Sequence, residues 1–213
     1  MAYTLPTLTD GPVTVRPIRS RDARVLDETL MANRDWLSKW EATLPGYGAT
    51  KAFDTKATIR NLIEQARNGD GLPFSVEYEG EFAGQVNVSG ITSGALSSAS
   101  IGYWVGRRYA GHNITPTAVA LVTDYCLFEM GLHRMEVCIR PENLASLRVV
   151  EKLGFRFEGL RRRYIHIDGD WRDHLCFALV REELHERLLQ RWKRGQVPVF
   201  DRSVYPVEIG GRP

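Results

Sequence analysis

Residues 100–130, SIGYWVGRRYAGHNITPTAVALVTDYCLFEM, constrain the fold of this chain more than any other stretch. Ile101, Tyr103 and Val105 alternate with Gly102 and Trp104, and the run ends at Gly106, as a strand closed by turn chemistry does. A basic loop containing Gly111 leads into a long apolar run that reads as a buried helix. Thr115 is placed to cap that helix, and Pro116 falls in its first turn, where a missing N–H is harmless. Backbone N–H groups of residues 108–114 would gather in front of the helix dipole, which favours an anion. Arg107, Arg108 and His112 add side-chain donors. Two readings stay open at this point: an anion site suited to a pyrophosphate, or an ordinary strand-to-helix connection with a solvated basic tip.

Around this unit the hydrophobic period switches in a definite order. Residues 13–18 alternate as a first strand, and Ser20 precedes a helical pattern through Val25, Leu26, Leu30 and Met31. Residues 33–47 read as a helix end running into a loop, in which Trp36 and Trp40 either wall a cleft or pack the first helix. The spacing of Ile59, Leu62, Ile63 and Ala66 predicts a second helix, capped by Asp54 or Thr55 and stopped at Gly69. From Phe74 the period is two, with a hairpin turn at Glu79-Gly80 and a second strand to Val88. Met135, Val137 and Ile139 mark a strand after the central unit, and a strand-helix-strand unit makes parallel neighbours through a right-handed crossover. Asn143 is a good N-cap for a helix carrying Leu147, Val150 and Leu153 and closed by Gly154, with Ser146 in its first turn. Asp168-Gly169 is a hairpin signal within residues 155–180, and residues 182–192 predict a last amphipathic helix. The expected architecture is one α/β domain of the α+β kind over residues 1–194. It has a central, mostly antiparallel mixed sheet flanked by helices, and residues 195–213 form a Pro- and Gly-rich tail lying extended on the surface or on a partner.

Charge and cysteine usage narrow the function classes. The 28 basic and 26 acidic residues leave a net charge of +2, too balanced for a general DNA binder or a membrane-surface protein. The compact basic run, Arg161 to Arg163, is either a solvated strand edge that discourages pairing or a small patch for RNA or an acidic peptide. Cys126, Cys138 and Cys176 are odd in number and widely spaced in apolar runs, which argues for buried reduced thiols and against a disulfide framework or a metal site. No basic n-region precedes an apolar stretch at the start, and no run approaches the roughly 18 apolar residues of a membrane span, so a cytoplasmic protein is expected.

Four local motifs occur in the order of a known family. R-Y-A-G-H-N at 108–113 resembles the acetyl-CoA loop of the GNAT N-acetyltransferases, and N-L-A-S-L-R-V-V-E-K-L-G-F at 143–155 resembles their Asn-x-x-Ser helix with its Leu-Gly-Phe ending. A-N-R-D-W-L-S-K-W-E at 32–41 and Y-I-H-I-D-G-D-W-R-D-H at 164–174 are similar to the RimJ/RimL branch, which acetylates ribosomal-protein N-termini, on its alanine-acetylating side. The resemblance implies a GNAT fold with one splayed parallel strand pair, acetyl-CoA as acyl donor, and no metal. It implies a protein N-terminal α-amine (Ala or Ser), such as that of a ribosomal protein, as acceptor, in a monomer or homodimer. The alternatives are a polyamine or antibiotic acetyltransferase, or an acetyl-CoA-binding, ribosome-associated factor whose catalysis has lapsed. Asn113 departs from the usual Gly or Ala of the loop, although Asn tolerates left-handed backbone angles. Thr117 stands where a glutamate is common.

The resemblance also distributes roles. The pantetheine arm of the donor would pair with backbone near Trp104 and Val105, and its pyrophosphate would sit on the loop through Arg107, Arg108, Ala110, Gly111, His112, Asn113, Ile114 and Thr115. Asn143 and Ser146 would meet the arm, with Ser146 protonating the departing sulfur; helix N-terminal hydrogen bonding is the competing role for that serine. The glutamate implicated as base in RimL-like relatives is replaced here by Ile165. Glu41 and Glu77 are the acidic alternatives, beside a water relay.

Overall fold

The switch of period from 3.6 to 2 is realised as two helical layers against one sheet. The structure, a computed structural model, describes residues 5–46 and 54–206; Tyr47, at the end of the expected first loop, and residues 207–213 of the tail lie outside the described residues. The strands are β1 (Leu8–Asp10), β2 (Val13–Pro17), β3 (Gly71–Tyr78), β4 (Glu81–Thr92), β5 (Ser98–Val105), β6 (Arg134–Ile139), β7 (Arg156–Ile167) and β8 (Asp170–Val180). The helices are α1 (Ala23–Ala32), α2 (Arg34–Leu37), α3 (Thr55–Asn68), α4 (Ile114–Asp124), α5 (Leu144–Leu153) and α6 (Leu188–Lys193). All eight strands join one sheet in the order β1-β2-β3-β4-β5-β6-β8-β7, with β5 and β6 parallel and every other pair antiparallel. The expected α/β fold on a mixed sheet is thus the one observed.

Alternation divides the sheet between two cores. Ile101 is buried in the larger core under α4 and α5, with Tyr103 and Val105 packed against it, whereas Trp104 turns to the smaller core formed with α1 and α3 around Leu26, Leu30 and Ile59. Helix α4 is buried almost all round, because it packs on the sheet, α5 and α6 together; an all-apolar helix is what such a position requires. Caps follow the sequence at α3 and α5: Asp54 accepts from Ala57 N–H, Asn143 accepts from Ser146 N–H, and Gly69 and Gly154 close the two helices in the left-handed conformation. Asp168-Gly169 turns β7 into β8 with φ of +51° and +78°, the backbone a two-residue hairpin loop needs.

One local expectation is corrected, and one element is new. The short strand β1 had no pattern to announce it. The last helix is not residues 182–192 but Leu188–Lys193, preceded by a single turn at Arg181–Glu183; the buried carboxylate of Asp124 accepts from the N–H groups of Leu188 (2.6 Å) and Leu189 (3.2 Å) and so fixes where the helix starts. In the described part of the tail, Phe200 and Tyr205 pack on Phe177, and Arg202 binds the Glu151 carboxylate through two nitrogens at 2.8 and 2.7 Å. Among the described residues no helix is long and apolar enough to cross a membrane.

Candidate functional site

The site is a gap in the sheet. β5 and β6 pair only from Ser98–Arg134 to Ser100–Glu136; beyond that β5 follows β4 and β6 follows β8, so the two part. Residues 101–105 therefore present a strand edge to the gap with no strand partner among the described residues. Backbone polar groups require partners, and an extended ligand carrying amides can supply them as an added strand would. A cleft of about 380 Å³ lies here, walled by β5, the loop after it, the first turns of α4 and α5, and the two tryptophans Trp36 and Trp40.

The loop is a sequence of tight turns. Gly106 N–H donates to Ala83 O (2.9 Å), ending β5, and Tyr109 and Ala110 N–H close a single turn on Gly106 and Arg107. Gly111 (φ +86°) and Asn113 (φ +59°) then reverse the chain into α4. Asn113 takes the left-handed angle that its position in the loop demands, and it, not Thr115, is the N-cap residue; Thr115 lies inside the first turn because the reversal is completed one residue before Ile114. The N–H groups of Ile114 and Thr115 have no protein partner among the described residues, which leaves a helix N-terminus ready for an anion. Ala110, Gly111, Asn113, Ile114 and Thr115 all line the cleft.

The loop's basic side chains lie elsewhere. Arg107 N–H donates to Asn33 Oδ1 (2.8 Å) and its guanidinium rests over Trp36. Arg108 pairs with Glu81 and covers the Tyr109 ring, and His112 is exposed; none of the three lines the cleft. Positive charge at the cleft comes instead from Lys39 of the roof and from Arg148 and Lys152 of α5, which sequence reasoning missed. The signal of the α5 pair was the stripe Ala145, Arg148, Val149, Lys152 at i, i+3, i+4, i+7, all on the face turned to the cleft. Lys152 Nζ also donates to Asn113 Oδ1 (2.7 Å), tying the left-handed residue to α5.

Ser146 enters the cleft at the start of α5. Its N–H is taken by Asn143 Oδ1 (3.1 Å) and its carbonyl by the Tyr103 hydroxyl (3.3 Å), while its own hydroxyl has no protein partner among the described residues. The capping role belongs to Asn143, so the serine hydroxyl is left free for a ligand. Burial pushes the Tyr103 phenol well up, despite the contact with Ser146, and it remains protonated.

Across the gap, residues 36–43 form a roof. Trp36 Nε1 donates to Val105 O (3.0 Å), Arg140 NH1 donates to Lys39 O (2.8 Å) beneath the Trp40 ring, and Thr43 N–H donates to His166 O (2.8 Å). The roof is thus fastened to β5, to the end of β6 and to β7, and both tryptophans wall the cleft. Arg140 had been given no role from sequence. Glu41 does not line the cleft: its carboxylate is ion-paired with Arg34. Glu77 is held by Arg16 (2.7 Å) in a cluster with buried Asp22, away from the gap. Ile165 leaves the terminal hairpin without an acid at that position.

Comparison with known proteins places this gap in a family. Residues 13–156 match the model of the acetyltransferase (GNAT) domain. The chain is 42% identical over 168 residues to the probable N-acetyltransferase YjcK of Bacillus subtilis, covering 78% of this chain and 92% of that protein. It is 28% identical to the [ribosomal protein uS5]-alanine N-acetyltransferase of Escherichia coli, covering 81% and 90%. The solved structure of Mycobacterium smegmatis RimJ in complex with CoA-disulfide superposes with a TM-score of 0.81 at 36% identity, covering 94% of this chain and 98% of that one. A splayed parallel strand pair, a helix N-terminus facing the gap and a free serine hydroxyl fit an elongated thioester donor with amides in its arm and phosphates at its end. The chain belongs to the GNAT acetyltransferase family and is an acyltransferase that uses acetyl-CoA.

Proposed function

We propose that the protein acetylates the N-terminal α-amine of a protein substrate beginning with Ala or Ser, of the ribosomal-protein class. The observation that carries this reading is the roof of residues 36–43, fastened at three points, which adds two tryptophan walls to the cleft and suits it to an extended chain end. The relatives named for ribosomal-protein alanine acetylation and RimJ support the same acceptor class. Bound acetyl-CoA supplies the activated acetyl group. The free N–H groups of Ile114 and Thr115, with Lys152 and Arg148 beside them, hold phosphate; the unpaired edge of residues 101–105 holds the arm. Ser146 donates its hydroxyl proton to the leaving sulfur, and Asn143 fixes the turn that presents it. With Glu41 and Glu77 each held by an arginine, the amine's proton leaves to water.

The test is turnover of acetyl-CoA with peptides beginning Ala or Ser, read as released thiol and as one acetyl group on the N-terminal residue by mass spectrometry. Acetylation of those peptides, and none of the same peptides with blocked N-termini, is expected. Turnover on spermidine with none on any free N-terminus would replace this reading with a small-molecule enzyme.

A further inference from the structure

Cys138 and Cys176 occupy directly opposite positions on β6 and β8, and their sulfurs lie 3.1 Å apart. Directly opposite residues on antiparallel strands have Cα separations of about 4.5–5.5 Å, within the range a disulfide spans. Closing the remaining gap to a sulfur–sulfur bond of about 2.05 Å needs side-chain movement of only about 1 Å. Cys126, buried in the larger core, has no such neighbour among the described residues.

The pair is on the sheet face carrying Glu136 of β6 and His174 of β8, not on the face carrying Met135 and Val137 that packs in the larger core. Arg161 of β7 reaches over it, with NH1 3.8 Å from Cys138 Sγ and also bound to the Tyr164 hydroxyl (2.8 Å), and NH2 on Glu136 (3.3 Å). Cys138 is partly exposed and Cys176 is 7% exposed. The Cys138 hydrogen bond holds the Cys176 thiol below the ordinary thiol range; burial opposes this and Arg161 assists it. Two sulfurs in contact beside a guanidinium that favours the thiolate form are the arrangement of an oxidisable pair.

We propose that Cys138 and Cys176 form a redox-modification site, a cross-strand dithiol that a peroxide converts to an intramolecular disulfide. The Cys176 thiolate attacks one peroxide oxygen, the O–O bond breaks, and a sulfenic acid and hydroxide form. Cys138 then attacks that sulfur as its own proton leaves; the S–S bond forms, the S–O bond breaks, and water departs. Two electrons pass from the two sulfurs to one peroxide, and two waters result. A thiol reductant reverses the change. The site requires neither the acyl donor nor the acceptor, so it stands or fails separately from the acetylation reading.

The experiment is treatment of the purified full chain with hydrogen peroxide, followed by alkylation under denaturing conditions and peptide mass spectrometry. The expected result is loss of two hydrogens per chain, a peptide pair linked through Cys138 and Cys176, full alkylation of Cys126, and restoration by a thiol reductant. Cys138→Ser, at the more exposed member, should abolish the link. Arg161→Ala should slow its formation about threefold as the thiolate fraction falls. Two alkylatable thiols at Cys138 and Cys176 after peroxide has oxidised a free low-molecular-weight thiol completely would overturn the proposal. So would a link that joins two chains instead of one.

Discussion

Gly84 offers a sharp test of the claim that the end of β5 positions the acyl donor. It faces Val105 across the β4–β5 pairing, and a Cβ built there would lie 2.2 Å from Trp104 O and 2.9 Å from Val105 Cα. Reaching even 3.0 Å from the carbonyl requires 0.8 Å of movement (3.0 − 2.2) by main chain, which cannot rotate away as a side chain can. Gly84→Ala therefore pushes residues 104–105 toward the gap. Overpacking of this kind costs about 1–3 kcal/mol, a fall in Tm of roughly 2–12 °C for a chain of this size. A displacement near 1 Å at a reacting geometry costs on the order of a hundredfold in rate. Gly102 of β5 is the internal control: a Cβ there meets nothing within 4 Å, so Gly102→Ala should leave Tm nearly unchanged. Calorimetric binding of acetyl-CoA, thermal unfolding and initial rates on the two variants decide the matter. If Gly84→Ala loses Tm by this amount yet binds acetyl-CoA and turns over like wild type, the β5 edge does not hold the donor.

Other residues make separable predictions. Ser146→Ala should lower kcat by roughly tenfold or more with donor affinity little changed, because the contacts of its N–H and carbonyl persist; an unaltered rate removes it from the acid role. Gly111→Val should abolish donor binding measured by calorimetry, since φ of +86° is strained for any branched side chain. Glu41→Gln should leave kcat within about threefold, and a loss on the hundredfold scale of a missing base would return Glu41 to that role. Asp124 has its carboxyl pushed up to about 6 by burial, from an ordinary value near 3.8, even with two N–H donors in place. Its folded-state pKa is thus raised, so its contribution to stability is complete below about pH 4 and is lost as pH rises through 6. The Tm difference between wild type and Asp124→Asn should shift in favour of wild type as pH falls from 6 to 4, and a pH-independent difference would contradict the raised pKa.

How far the site could be read from sequence follows from how it is assembled. The proposed donor side is contiguous: strand, loop, helix and the Asn-x-x-Ser turn fall within residues 100–154, and each uses a local device such as alternation, a left-handed residue or a cap that leaves a trace in neighbouring letters. Even there the trace fixed backbone better than side chains. A run such as Arg107-Arg108 records charge but not direction, and these two arginines turn to Trp36 and Glu81 while Arg148 and Lys152 supply the cleft. Residues 182–188 failed for a related reason: the start of α6 is set by Asp124, 64 residues away. The acceptor side depends on such distant contacts throughout. Trp36 meets Val105 at a separation of 69 residues, Arg140 meets Lys39 at 101, and Thr43 meets His166 at 123, and no periodicity connects them. The division has a chemical logic. Phosphate and amide recognition uses main-chain groups that many side-chain sequences can supply, whereas recognition of an acceptor uses side chains brought together from separate segments. On the proposed reading acceptor choice rests on the roof, and exchanging residues 36–43 should change which amines are used before it changes the affinity for acetyl-CoA.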